Sequence, residues 1–385
     1  MMQKSIEICR DVKMNVVKMQ VVTKQIRGVS YKPTDLHDSL NSSSVILLRA
    51  NNIDDGKINF DDVVYVDKSK VSKDQYLKKG DILICASSGS KQLVGKAASF
   101  DFDKECTFGA FCKVVRPDEN VADYIGKYFQ SVKYRSIISN VAIGANINNI
   151  RNEHIDSLEL PMYSTEKAND IVHLLSKVQS IIEYRKQELS NLDDLIKARF
   201  VEMFGDPVVN EKGWNTRPLL SMGYCKNGMN FHYDDSGVEI NCLGVGDFKD
   251  RSVIADTAAL PTVSLNEMPP SEYLLQDGDI VFVRSNGNKK MVGRSVVVYP
   301  GTVPTTFSGF CIRYRREADS VIMPYLLRVL KAESMRQKMY GRGANIQNLN
   351  QQTLASLDIP VPPKEMQEEF SAFVKQVDKS KVIVM

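Results

Sequence analysis

One four-residue block, Gly80-Asp81-Ile82-Leu83, returns 198 positions later as Gly278-Asp279-Ile280-Val281. The correspondence runs on without a gap: Ser87, Gly89, Lys91, Val94 and Gly95 stand against Ser285, Gly287, Lys289, Val292 and Gly293. Further along the offset is 199. Thr107-Phe108-Gly109-Ala110-Phe111-Cys112 answers Thr306-Phe307-Ser308-Gly309-Phe310-Cys311, and Gly144-Ala145-Asn146-Ile147 answers Gly343-Ala344-Asn345-Ile346. Ser157-Leu158-Glu159-Leu160-Pro161 then answers Ser356-Leu357-Asp358-Ile359-Pro360. A period of about 200 residues lies far above the roughly 20–50 of stacked repeats, so the chain reads as two similar domains. Its 385 residues leave room for both.

Each copy follows one plan. Short β-prone runs come first (Val45–Leu48, Val63–Val66, Ile82–Cys85 and Ile280–Val283), with Gly, Asn, Asp and Ser clustered between them as turns require. A helical stretch follows, Ala122 to Ser139 in one copy and Pro324 to Tyr340 in the other. Then come the glycine turn and a last strand stopped by Pro161 or Pro360. After Pro161 the period changes. From Ser164 to about Phe204 there is no Gly or Pro, and Ile171, Leu174, Val178, Ile181, Leu189, Leu192 and Ile196 form one helical stripe close to a heptad seam. At 1.5 Å per residue this is a rod of about 57 Å, ended by Gly205-Asp206-Pro207. Asp193 and Lys197 are spaced to pair across one turn. The second copy's helix begins at Pro363, with Phe370, Phe373 and Val377 on its stripe, and the chain ends at Met385. The boundaries read as 1–163, 164–205 (spacer helix), 206–361 and 362–385 (second, shortened spacer helix).

Composition excludes several classes. Apolar residues at 43% and charged residues at 25% suit a soluble globular protein, and no apolar run approaches the roughly 20 residues of a membrane span. The net charge of +3 permits a nucleic-acid partner without requiring one. Seven cysteines form no CxxC pair and no export signal precedes them, which points to free thiols in a cytoplasmic protein. His37, His154, His173 and His232 stand apart from each other and from the cysteines, so zinc-type spacing is absent. The nearest approach to a Walker A loop, Gly89 to Ala97, has the wrong length and ending. No Asn/Asp-Pro-Pro-aromatic loop of an adenine methyltransferase and no GxSxG elbow occurs.

What remains suits binding. Ser87, Ser88, Ser90, Lys91 and Gln92 in one copy, and Arg284, Ser285, Asn286, Asn288, Lys289 and Lys290 in the other, combine small hydroxyl and amide groups with cations. Such groups reach base edges and neutralise phosphates. The glycine turns add Asn146 and Asn148, and Arg342, Asn345 and Gln347. Gly-Asn-Ser loops also serve as ordinary strand connections, and Gly-Ala-Asn-Ile equally reads as a structural turn.

These blocks resemble the specificity subunit of type I restriction–modification systems. The carrying residues are Arg27-Gly28-Val29-Ser30-Tyr31-Lys32-Pro33, Leu48-Arg49-Ala50-Asn51-Asn52-Ile53, Lys79 to Ile84, Leu93 to Lys96 and the two Gly-Ala-Asn-Ile turns. To these are added Arg185-Lys186-Gln187 and, most specifically, Lys197 to Pro207. The resemblance implies an α+β architecture of two strand-rich target-recognition domains, related by a pseudo-two-fold and separated by long antiparallel coiled-coil-like helices. It implies a non-catalytic subunit, each repeat reading one half of a bipartite double-stranded DNA site. The helices would set the spacer and dock two methylation subunits, with restriction subunits as further partners. No cofactor is implied in this chain, since S-adenosylmethionine, ATP and Mg would bind the partner subunits. The helix stripes, Ile171 through Ile196 and Phe370, Phe373 and Val377, would be the docking residues. Two departures stand out: no clear entry strand before Gln25, and a second helix shorter than the family's, which reads as a truncated or rearranged allele with Leu189, Leu192 and Ile196 left exposed. A stand-alone DNA-binding regulator and an enzyme with an unrecognised site are the competing readings.

Overall fold

Ile82–Cys85 is buried at all four positions, and its alternating side chains enter two different cores. Ile82 and Ile84 pack with Ile125, Phe129, Tyr134 and Ile138. Leu83 and Cys85 pack with Leu48, Phe100 and Phe108. Opposite faces of a pleated strand diverge in this way, so a run that is apolar at every position belongs in a sheet covered on both sides. The second copy repeats the arrangement: Ile280 and Phe282 face one core, Val281 and Val283 the other. The protein, a computed structural model, is described over residues 15–90, 92–141, 148–231, 235–248, 251–339 and 347–384, with only the backbone at 148, 347, 383 and 384. It divides into two compact units, Met1–Ile182 and Glu183–Met385.

In the first unit the strand order is Ala97–Ser99, Ile82–Cys85, Cys112–Pro117, Thr23–Arg27, all antiparallel. Helices cover one face. A second sheet covers the other, with Cys106–Phe108 parallel to Ser44–Leu48, followed by Val64–Asp67 and Leu36–His37. In the second unit Ser295–Val298, Asp279–Val283, Cys311–Arg316 and Gly223–Asn227 repeat that order, and Val253–Ile254 adds a parallel edge strand. The expected single helical stretch of each copy is two helices: Ala122–Phe129 and Val132–Val141, then Met323–Lys331 and Glu333–Met339. In the first copy Ser131 makes the break, its Oγ accepting from the Tyr134 N–H at 3.2 Å. An entry strand also exists. Asn15–Lys18 pairs antiparallel with Glu159–Met162.

The repeated Gly-Asp has a physical reason in both units. Gly80 and Gly278 each turn the chain at a φ of 86°, a left-handed conformation that glycine takes without penalty. The next residue, Asp81 or Asp279, is 1% exposed. Arg116 Nε and Nη2 donate to the two Asp81 carboxylate oxygens at 2.8 and 2.7 Å. Arg315 does the same to Asp279 at 2.8 and 2.7 Å. The backbone N–H of Lys78 or Gln276 donates to the same carboxylate. This bidentate pair locks the turn to a strand 35 residues further on in the first unit and 36 in the second.

One helix, Thr165–Phe204, has 40 residues and so runs about 60 Å. The Gly205 N–H donates to the Val201 carbonyl at 2.8 Å, with Gly205 at a φ of 76°. Within the second unit the C-terminal helix, Lys364–Val384, packs antiparallel on the last turns of the long one. Arg199 meets Glu369 at 2.8 Å, and Asp193 meets Lys381 at 2.7 Å. Between the helices Phe200, Phe204 and Phe370 converge with Tyr325, ring centroids 4.8–5.7 Å apart. Two expectations change. Lys197 pairs with Asp194 at 2.7 Å rather than with Asp193, which the second helix captures. Ile196 is buried and Leu189 and Leu192 are half-buried, because the C-terminal helix reaches this end of the seam. The exposed apolar stripe lies instead at Leu174 (62%), Val178 (47%) and Ile181 (58%).

Cys85, Cys106, Cys112, Cys225, Cys242 and Cys311 are free thiols. Burial pushes Cys106, Cys112, Cys225 and Cys242 up to about 12. The reactive species is the thiolate, so at pH 8 these four are expected to react with an aromatic disulfide reagent at least about 100-fold more slowly than in the denatured chain. Native labelling of these four at the denatured rate, followed by mass spectrometry, would refute it.

Candidate nucleic-acid interface

Segments about 60 residues apart in sequence meet at the same place in both units. Ser87–Ser88 pairs antiparallel with Asn148–Asn149, Ser88 opposite Asn148. Ser285–Asn286 pairs with Gln347–Asn348, Asn286 opposite Gln347. The Ile150 N–H donates to the Ala86 carbonyl, and the Leu349 N–H to the Arg284 carbonyl, each at 2.8 Å. The serine or asparagine loop and the end of the glycine turn thus form one small ribbon at the edge of each unit. In the first unit Lys113 braces it, its Nζ donating to Asn152 Oδ1 at 2.6 Å and to the Ile150 carbonyl at 3.3 Å. Burial holds that ammonium below the ordinary lysine value.

A third element joins the ribbon. The Phe111 carbonyl accepts from the Ala86 and Ser87 N–H groups at 2.9 and 3.0 Å, and the Phe310 carbonyl from those of Arg284 and Ser285 at 2.8 and 3.3 Å. With their carbonyls pinned inward, the two phenylalanines remain 70% and 62% exposed. The close approach depends on Gly28 and Gly228. A Cβ on either would stand 2.1 or 2.0 Å from the carbonyl oxygen of Gly109 or Ser308. In the first unit the ribbon borders an open groove of about 680 Å³ lined by Tyr31, Arg49, Asn51, Ser88 and Phe111. Asp62 orients Arg49 and Asn51, accepting from them at 2.9 and 2.8 Å.

The loop chemistry is mostly that of donors. Asn286 Oδ1 accepts from the Asn288 N–H at 2.8 Å, and Asn288 Oδ1 from the Lys290 N–H at 3.0 Å. Ser88 Oγ accepts from the Ser90 N–H at 3.1 Å. The asparagine carbonyls therefore serve the loop, while their NH₂ groups make no hydrogen bond among the described residues. Ser90, Gln92, Asn288, Lys289 and Lys290 are exposed; Ser87, Ser285 and Asn286 are half-buried. Arg284 is half-buried and donates to the Gly309 carbonyl at 3.2 Å, which ties it partly to the scaffold. Lys91, Asn146, Arg342 and Asn345 lie outside the described residues, as do the side chains of Asn148 and Gln347. Of the helix stripe, Leu174, Val178 and Ile181 are exposed and Ile171 and Phe373 half-buried, whereas Ile196, Phe370 and Val377 fill the second unit's own core.

Phe111, Phe310, Tyr31, Arg49 and Asn51 were not singled out as site residues from sequence. The signal was present in the matching Thr-Phe-x-x-Phe-Cys blocks, whose second phenylalanine follows a turn instead of continuing a strand. Among the described residues no cluster of three or more His, Cys, Asp or Glu side chains could hold a metal ion, and no helix is long and apolar enough to cross a membrane.

Two strand-rich units of one topology, each with a donor-rich ribbon and joined through one 40-residue helix, define a repeated recognition protein. The chain belongs to the type I restriction–modification DNA specificity family: the domain described as "Type I restriction modification DNA specificity domain" matches residues 34–193 and 264–384. It is 30% identical over 380 residues to the type I restriction enzyme StySPI specificity subunit of Salmonella potsdam, covering 93% of this chain and 81% of that one. It is 31% identical over 292 residues to the EcoKI specificity subunit of Escherichia coli K12, covering 72% of this chain and 62% of that one. In fold it is similar to the type I restriction–modification S subunit from M. genitalium (TM-score 0.50, 12% identity, 98% of this chain and 92% of that one). A chain from a structure of type I restriction–modification complex assembly matches at a TM-score of 0.50, with 14% identity over 96% of this chain and 91% of that one.

Proposed function

We propose that this chain is the DNA-reading subunit of a type I restriction–modification complex, without catalysis of its own. Each unit reads one half of a split double-stranded site, and the long helix between them sets the unread spacer. The observation that carries this reading is the same ribbon, bordered by an exposed phenylalanine, in both copies of one fold. Family membership favours it over a stand-alone regulator. The recognition domains are residues 1–163 and 206–361, and the spacer helices 164–205 and 362–385. Cofactors for methyl transfer and translocation belong to methylation and restriction subunits. We further assign a methylation-subunit dock to the exposed stripe Leu174, Val178 and Ile181, whose apolar area calls for cover.

The donor-rich loops fit acceptor edges in the major groove, such as guanine O6 and N7 or thymine O4. The exposed phenylalanines fit thymine methyls or an opened base step. In the assembled methylation complex, Asn286→Asp is expected to relax discrimination at one half-site only, by about 1–3 kcal/mol per contacted base pair. Phe310→Ala should weaken the same half-site and leave the other untouched. Methylation mapping across a randomised-site library reads both half-sites at once. Two unchanged half-site logos in both variants would remove base reading from this ribbon.

A further inference from the structure

Five cationic side chains from separate stretches of the second unit surround one pocket of about 330 Å³: Arg251, Arg294, Arg328, Lys331 and Arg336. Lys197 of the long helix also lines it. Among the described residues the one carboxylate in the lining is Asp193, and it is held by Lys381 at 2.7 Å. Arg336 lies 3.9 Å from Glu333. Arg328 donates no hydrogen bond among the described residues. Gathering that many like charges in a concave, partly desolvated space costs free energy through mutual repulsion. Burial, followed by repulsion from Arg328, pushes the Lys331 ammonium down to about 8, with Arg294 and Arg336 adding to it.

The shared fold does not require this charge. Tyr124 and Tyr325 occupy equivalent places, each hydroxyl donating to the carbonyl of Pro161 or Pro360. Counting from them, Lys331 stands where the first unit has Gln130, and Arg328 where it has Lys127. Gln130 Nε2 donates to the Gly56 carbonyl at 3.3 Å, and Lys331 Nζ to the Arg251 carbonyl at 3.2 Å and Ser252 Oγ at 2.7 Å. A neutral amide thus serves the same loop-bracing role. Lys127 is taken up by Gln179 at 2.9 Å. The second unit alone replaces an adequate neutral bond with a charge.

We propose that this pocket is a binding site for a phosphate-bearing anion. Several guanidinium forks and an ammonium suit a group of tetrahedral oxygens with charge near −2 better than a single carboxylate. Arg336 Nη2 also donates to the Lys290 carbonyl at 2.8 Å, which links the pocket wall to the 285–290 loop. The phosphate comes either from the DNA backbone beside that loop or from a free phosphorylated solute. The inference stands apart from the DNA reading, because its first arm contains no DNA.

That arm is calorimetric titration of the full chain with inorganic pyrophosphate at pH 7 and constant ionic strength. One saturable site is expected, weakened about tenfold or more by Arg328→Ala and by Lys331→Met. Lys331→Arg should retain it, and Lys133→Ala in the first unit should not alter it. Melting curves without anion identify any variant that fails to fold, and Lys331→Arg keeps the test open in that case. The second arm measures duplex affinity of the assembled complex against salt. A shallower salt slope in the two variants, with pyrophosphate competing against duplex, identifies the phosphate as DNA's. Pyrophosphate binding without either effect identifies a free solute. Absence of saturable pyrophosphate binding with an unchanged duplex salt slope overturns the proposal. So does equal pyrophosphate binding by wild type and the double variant Arg328→Ala/Lys331→Met.

Discussion

Asp279→Ala is expected to destabilise the second unit by about 3–5 kcal/mol, because it strands a largely buried guanidinium without its partner. Arg315 would keep neutral partners, among them the Leu274 carbonyl, to which its Nη2 donates at 3.0 Å, but no carboxylate. The Gln276 N–H would lose its acceptor, and the turn at Gly278 its anchor. For a unit of this size the loss corresponds to a fall in melting midpoint of about 10 °C. Asp81→Ala should do the same to the first unit through Arg116. Each unit has its own cores, so the two variants should lower different transitions in a calorimetric scan. The double variant Asp279→Ala/Arg315→Met should recover much of the loss, since removing both charges abolishes the stranded one. A midpoint for Asp279→Ala within about 2 °C of wild type would show that the pair contributes little.

The same residues mark what a sequence can disclose. Ile82–Cys85 and Ile280–Val283 are readable as strands because four consecutive apolar residues need cover on both faces. The Asp before each is repeated in the sequence, yet its partner is an arginine 35 or 36 positions on, and no local pattern announces that pairing. Asn15–Lys18 escapes for a similar reason: it is four residues long, and its partner strand is about 140 residues away. Helix breaks at Ser131 and Ala332 leave the apolar period nearly intact, so each pair of helices reads as one. The ribbon is half readable. Its serines and asparagines are visible as loop residues, whereas the exposure of Phe111 and Phe310 depends on backbone hydrogen bonds from Ala86 and Arg284. The cations of the anion pocket are scattered from Lys197 to Arg336 and become a cluster only in three dimensions. Asp193 shows how tertiary structure overrides local spacing. The i,i+4 lysine is available, but Lys381 of the packed helix takes the carboxylate.

Deleting Glu183–Lys186, four residues of the long helix, is expected to move the complex onto a differently spaced DNA site. All four side chains are exposed, so the excision removes no core packing. It shortens the rod by about 6 Å and turns its two halves by about 40° beyond a full turn, which keeps the apolar seam nearly in phase. The contacts of the last turns survive, because Ile196, Phe200, Phe204 and Phe370 all lie beyond the cut. Six ångströms is close to two base-pair steps of about 3.4 Å, so the preferred spacer should shorten by one or two base pairs. On the original site only one half can then be engaged. Forfeiting half of a specificity that usually spans about 10³–10⁷ should lower methylation there about 100-fold or more. The half-site letters should not change, since neither ribbon is touched. Methylation mapping on duplexes that differ only in spacer length provides the readout. Altered half-site letters with an unaltered spacer would show that the helix does not act as the ruler.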